Sequence, residues 1–187
     1  GCRQGRERRP APGVFRPAFP PRWVNSLYFD TRDLRFLRDS VEGLPSRRKI
    51  RLRWYGELDR GTRGAVLEVK RRDGLLIRKS GRAVDASGLR RSVTGLRPVL
   101  LVRYRRRYFA SSNRRLRITV DSELRFYRPG GGYFPAGSAD ESIIELKYAP
   151  QWEDEACAAA RALPWRLARF SKYLRAAEAL GITRSSS

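Results

Sequence analysis

The chain has 187 residues, the length of one domain, and carries 41 Lys and Arg against 19 Asp and Glu, a formal net charge of +22. It contains no His and only two Cys, Cys2 and Cys157. This excludes Ser-His-Asp and Cys-His catalysis, His-ligated metal and a disulfide framework, so a reducing, cytoplasmic location is expected. Apolar residues make up 41%, enough for a core, whereas the longest purely apolar runs are far too short to cross a bilayer.

A charge of +22 on so small a chain repels itself and becomes tolerable when a polyanion supplies negative charge. Nucleic acid, anionic lipid and condensed phosphate all qualify. Arg outnumbers Lys 36 to 5, a skew that GC-rich coding also produces. The five surviving lysines, Lys49, Lys70, Lys79, Lys147 and Lys172, mark positions where a compact ammonium differs from a guanidinium fork.

In chain order, residues 1–22 are Pro- and Arg-rich without alternation, and are read as a disordered or truncated segment. Residues 24–30, VNSLYFD, alternate as a strand. Asp30 or Thr31 can cap a helix over 33–41, ended by Gly43 and Pro45. Residues 49–55, KIRLRWY, set Ile50, Leu52 and Trp54 against Lys49, Arg51 and Arg53. AVLEVK at 65–70 and LLIRK at 75–79 form a hairpin across Arg72, Asp73 and Gly74. Residues 80–97 predict a short helix or loop. Long strands follow at 99–110 and 115–121, the latter extended by 124–127. After the flexible PGGG turn comes a strand at 142–148. The end is helical: an Ala-rich stretch at 151–163, with Cys157 expected to be buried, then a helix from Pro164. That helix carries a Leu167, Phe170, Leu174 and Ala177 stripe and is stopped by Gly181.

About five strands share one design, an apolar face backed by a cationic one with isolated acids. An open antiparallel sheet with one wet side alternates in the same way. Against it stand the like charges in a row at Lys49, Arg51 and Arg53, and the repeated Glu-x-Lys of Glu68/Lys70 and Glu145/Lys147. A barrel with a charged lumen accounts for both. Such a lumen binds a phosphate chain, and its carboxylates hold a hard divalent cation. Phosphoryl transfer asks the protein for alignment and charge stabilisation, which a His-free chain can supply.

The segments SLYFDT (26–31), RKIRLRWYG (48–56), LEVKRR (67–72), VRYRRRYF (102–109), RITVDSEL (117–124), IIELKY (143–148) and FSKYLRAAE (170–178) together resemble the VTC domain. This is the polyphosphate polymerase domain of the vacuolar transporter chaperone, one of the triphosphate tunnel metalloenzymes related to CYTH proteins. The resemblance spans residues 23–181, leaving 182–187 as a tail. It implies an α+β fold, an antiparallel tunnel with flanking helices and a C-terminal helical segment. It also implies ATP and polyphosphate as ligands, Mn²⁺ or Mg²⁺ as cofactor and a membrane-associated partner protein, with no specific nucleic acid. The implied activity is transfer of the ATP γ-phosphate to polyphosphate. Triphosphate hydrolysis, or binding of polyphosphate or nucleic acid without turnover, are the alternatives.

By the same resemblance, Arg51, Arg53, Lys79 and Arg117 contact substrate phosphates. Lys70, Arg106, Lys147 and Lys172 are catalytic, and Glu145 holds the metal. For residues 102–109 the family favours Arg106, on the face with Tyr104, whereas alternation alone leaves Arg103, Arg105 and Arg107 equally open. The family's opening Glu-x-Lys-Tyr strand has no match in residues 1–22, so a missing first strand is expected.

Overall fold

The computed structural model describes residues 15–59, 63–163, 168 and 170–182. Its elements are β1 (Phe15–Asp30), α1 (Arg35–Val41), β2 (Ser46–Tyr55), β3 (Val66–Asp73), β4 (Leu76–Ala83), α2 (Ala86–Ser92), β5 (Arg97–Ser111), β6 (Arg117–Pro129), β7 (Tyr133–Ala139), β8 (Ile143–Lys147), a 3-10 turn (Pro150–Trp152), α3 (Glu153–Arg161) and α4 (Lys172–Ala179). The expected α+β antiparallel fold is present. The eight strands run β4-β3-β2-β1-β5-β6-β7, with β8 paired to β6, and this path has open ends at β4 and β7. The β1–β2, β2–β3, β3–β4 and β6–β7 pairings are antiparallel.

Two compact units share the chain. The larger comprises residues 21–106, 121–142 and 169–187; the smaller, residues 1–20, 107–120 and 143–168.

In the larger unit, register fixes two faces. Leu27, Phe29, Ile50, Leu52, Trp54, Leu67 and Leu101 form the core, with Phe36 of α1 buried among them and Leu89 and Val93 of α2 packed on it. Burying these side chains is the main stabilising term, about 1.5–3 kcal/mol for each large one. Asp30 ends β1 fully buried and starts α1: its carboxylate accepts the amides of Thr31 (2.7 Å), Phe36 (2.9 Å) and Leu37 (2.8 Å). Asp85 starts α2 by accepting the Gly88 amide at 2.6 Å.

In the smaller unit Leu116, Ala156 and Ala159 are buried, with Phe15, Leu146 and Trp152 packed against them. Here Cys157 corrects the expectation, because it is exposed. The buried positions of α3 are Ala156 and Ala159, three apart on one helix face.

Residues 15–22 correct the reading of 1–22 as disordered, since they are the first part of β1; residues 1–14 lie outside the described residues. Phe19 meets Tyr108 edge-to-face at 5.8 Å. Proline lowers strand propensity by removing N–H donors, not by forbidding extended backbone. β7 was invisible to periodicity. Phe126 faces Gly137 and Tyr127 faces Pro135, so Ala136 is an extra residue, a bulge that breaks alternation. The last described helix begins at Lys172; Phe170 precedes it and is exposed, and Pro164 and Leu167 lie outside the described residues. Gly181 (φ +67°) follows its end in the left-handed conformation. Among the described residues no helix is long and apolar enough to span a membrane.

Candidate functional site

The face opposite the larger unit's core is charged. Direct cross-strand partners put Tyr28 beside Arg51, Ser26 beside Arg53, Arg51 beside Glu68, and Lys49, Lys70 and Lys79 in one row across β2, β3 and β4. Partners opposite each other share a face, so these side chains point to the same side.

Glu68 takes two cations. Arg51 Nε donates to its Oε2 at 2.6 Å, and Arg53 Nη1 lies 3.1 Å from its Oε1. Arg51 also donates to the Tyr28 hydroxyl at 3.4 Å. Burial pulls the Arg51 pKa down, but Tyr28 and Glu68 outweigh it and hold the guanidinium above its ordinary value.

A second cluster joins β5, β6 and α4. Arg106 grips Asp121 bidentately (2.6 and 2.7 Å), and Lys172 Nζ lies 2.7 Å from Asp121 Oδ2. Burial alone would raise the Asp121 pKa; the Arg106 hydrogen bonds and the Lys172 charge reverse this and keep it below the carboxylate range. The Lys172 ammonium also sits 4.9 Å from the centre of the Tyr104 ring. Burial, above all, pushes the Tyr104 hydroxyl up to about 12.

The first turn of α4 completes the site. Ser171 caps the helix and accepts a 2.8 Å hydrogen bond from Lys49 Nζ. Tyr173 stacks on Tyr28 with ring centroids 4.7 Å apart and donates to Asp30 Oδ2 at 2.7 Å. Burial, then the charges of Lys70, Arg47 and Arg51, lower the Lys49 pKa to about 8. Two buried donors, Arg53 Nε and the Tyr104 hydroxyl, have no acceptor among the described residues, and neither has the Ser26 hydroxyl a partner. Unpaired buried polar groups cost free energy unless something answers them.

Of the residues read from sequence, Arg51, Arg53, Arg106, Lys172, Lys70 and Lys79 belong to this unit. The first four enter the two clusters, and Lys70 and Lys79 join by register, both exposed. Arg106 is buried with Tyr104, whereas Arg105 and Arg107 are exposed and Arg103 is tied to Asn25 Oδ1 at 3.1 Å. Glu145, Lys147 and Arg117 belong to the smaller unit. There Lys147 Nζ lies 3.2 Å from Glu145 Oε2, both well exposed. Arg117 lines a cleft of about 410 Å³ with Arg114, Arg115, Tyr148, Ala149 and Trp152. The sequence reading passed over Asp121, Tyr104 and Ser171 as site residues. Asp121 was the legible one, because it shares an alternating face with Arg117 on β6.

The carboxylates do not fit a resident divalent cation. No group of three metal-ligating side chains occurs among the described residues. Glu68 and Asp121 each already hold two cations, and Glu145 has the Lys147 ammonium beside it.

Among solved structures the chain is similar to the PH1819 protein from Pyrococcus horikoshii OT3 (TM-score 0.51, 15% identity, 89% of this chain and 88% of that one). It is similar also to a Hippeastrum protein described as having a dominant triphosphatase activity (TM-score 0.51, 16% identity, 87% and 84%). At this level of identity these likenesses show the fold alone. No curated protein sequence matches. The VTC domain matches residues 21–87 and 79–180. With nearly the whole described chain inside that match, and with the charged strand face and α4 lysine in place, the chain belongs to the VTC domain family.

Proposed function

We propose that the chain transfers the terminal phosphoryl group of ATP onto a growing polyphosphate, in the cytoplasm. Membership of the VTC family and a triphosphate tunnel fold support a phosphate-chain enzyme. The carrying observation is the charged face of the larger unit. There Lys49, Arg51, Arg53, Lys70, Lys79, Arg106 and Lys172 accompany the carboxylates of Glu68, Asp121 and the buried Asp30, and the buried donors Arg53 Nε and Tyr104 hydroxyl lack acceptors among the described residues.

Under this reading Arg51 and Arg53 exchange Glu68 for phosphate oxygens, since a guanidinium fork matches both. The Lys49, Lys70 and Lys79 row supplies point charges along the chain and is relieved of its own repulsion when phosphate enters. Arg106 and Lys172 act through Asp121, holding β5, β6 and α4 in register, so their role is positioning. ATP reaches the site as its magnesium or manganese complex, and the cation arrives with the substrate. The protein's contribution is to align donor and acceptor and to stabilise charge on the transferring group. Lys147 as a catalytic cation and Arg117 as a phosphate contact, both in the smaller unit, stay proposals of the family resemblance.

The test is incubation of the chain with ATP and Mn²⁺, followed by gel separation of the products. Long chains support the proposal. Orthophosphate alone would make the protein a triphosphatase of the same fold. Retained polyphosphate binding without either product would make it a binding module, a reading favoured by the occupation of Glu68 and Asp121 by cations.

A further inference from the structure

The β3–β4 hairpin has a feature that phosphate binding within the sheet face does not use. Its tip exposes three consecutive large apolar side chains: Leu75 is 95% exposed, Leu76 52% and Ile77 48%. Gly74 (φ +60°) makes the turn that presents them. Its amide donates to Pro45 O at 3.1 Å, which sets the 44–45 loop beside the tip, and there Leu44 and Val41 are exposed as well. β4 is exposed along its whole length and ends the sheet. Contiguous exposed apolar groups mark interaction sites, whereas single ones do not.

Both faces behind the tip are cationic. Arg48, Arg71 and Arg78 are direct partners on one face; Lys49, Lys70 and Lys79 are direct partners on the other. Of the two acids here, Asp73 accepts a 2.8 Å hydrogen bond from Ser46, and Glu42 is exposed between Val41 and Leu44. An apolar point collared by cations on both sides complements a surface with an apolar interior and anionic headgroups on every side. A second copy of this chain is disfavoured as occupant, because edge cations and a net charge of +22 oppose pairing of like with like.

We propose that the β3–β4 hairpin docks on an anionic lipid bilayer, with Leu75, Leu76 and Ile77 inserted among the acyl chains and Arg71 and Arg78 at the level of the headgroup phosphates. Long basic side chains keep their charged ends at that level while their stems lie along apolar surface. The reading goes beyond polyphosphate synthesis and does not depend on it.

Co-sedimentation of the whole chain with vesicles tests it. The native chain is expected to sediment with mixed phosphatidylcholine–phosphatidylserine vesicles and not with phosphatidylcholine alone. The triple variant Leu75→Ser/Leu76→Ser/Ile77→Ser should bind the mixed vesicles about tenfold more weakly or worse, with polyphosphate binding retained. Arg71→Gln/Arg78→Gln should weaken vesicle binding and flatten its loss with salt, because fewer cations remain to be screened. In Leu75→Trp, emission should shift to the blue on adding mixed vesicles and be quenched by brominated acyl chains, a readout that stands even if the triple variant misfolds. Equal sedimentation of the native chain and a folded triple variant would overturn the proposal, since binding would then be diffuse adsorption. An unquenched tryptophan would do the same, as would a blue shift that grows with protein concentration without vesicles, the signature of self-association.

Discussion

Two carboxylates in the larger unit each meet two cations, yet their surroundings differ. Asp121 is 1% exposed at its side chain and has Arg106 and Lys172 within 2.7 Å. Glu68 is 28% exposed, with Arg51 at 2.6 Å and Arg53 at 3.1 Å. A sealed cluster cannot release one partner without stranding another charge away from water. An open one can trade its carboxylate for another anion at little cost, because solvent already shares the interaction. The first arrangement joins strands to a helix. The second, under the proposed function, holds the place of a phosphate ligand.

The largest effect that would break this comparison is on stability. Asp121→Asn leaves Arg106 and Lys172 buried without their counter-charge and should cost about 3–5 kcal/mol in urea unfolding. A loss below about 1 kcal/mol would mean that the two clusters are equivalent.

Next come the cations of the open cluster. Arg53→Gln or Arg51→Gln should weaken polyphosphate binding by roughly 10- to 100-fold in calorimetric titration, the worth of a charge-assisted pair, with little change in melting. Glu68→Gln sharpens the contrast by its sign. With the place-holder gone, both guanidinium groups stand ready, so binding should tighten by roughly fivefold, about 1 kcal/mol. Weaker binding in Glu68→Gln would show that the carboxylate itself serves the ligand.

This division was only half legible in the sequence. Period-2 alternation exposed the charged face of β2 and β3 because nothing interrupts it there. It could not rank cations by burial, since burial depends on what a distant segment brings. Asp121 is sealed by Lys172 of α4, fifty-one positions away in sequence, and Ser171 reaches Lys49 over a separation of 122. β7 was hidden by its bulge and by Pro135, and the first part of β1 by its prolines, which weaken propensity without deciding conformation. The resemblance also placed Glu145, Lys147 and Arg117 in one site with Arg51 and Arg106. Spacing on a strand gives the face, and only packing tells a half-exposed pair from a sealed one.

Lys49 offers the smallest and most specific test, because it stands in the like-charge row and is hydrogen-bonded to α4. Burial first, then Lys70, Arg47 and Arg51, lower its pKa from 10.5 to about 8. The shift is downward, so below about pH 8 both folded and unfolded chains carry the proton and the folded state bears the full penalty of the charge. Between about 8 and 10.5 the unfolded chain binds more protons, so stability should rise with pH across that window. A phosphate chain laid on the row reverses the repulsion and restores the proton. Polyphosphate binding at about pH 9 should therefore take up as much as one proton, read from calorimetry in buffers of different ionisation enthalpy. Lys49→Gln should abolish both the rise in stability and the uptake. If the native chain binds polyphosphate at that pH without exchanging a proton, the ligand does not face Lys49. The open cluster and the lysine row would then not form one binding surface.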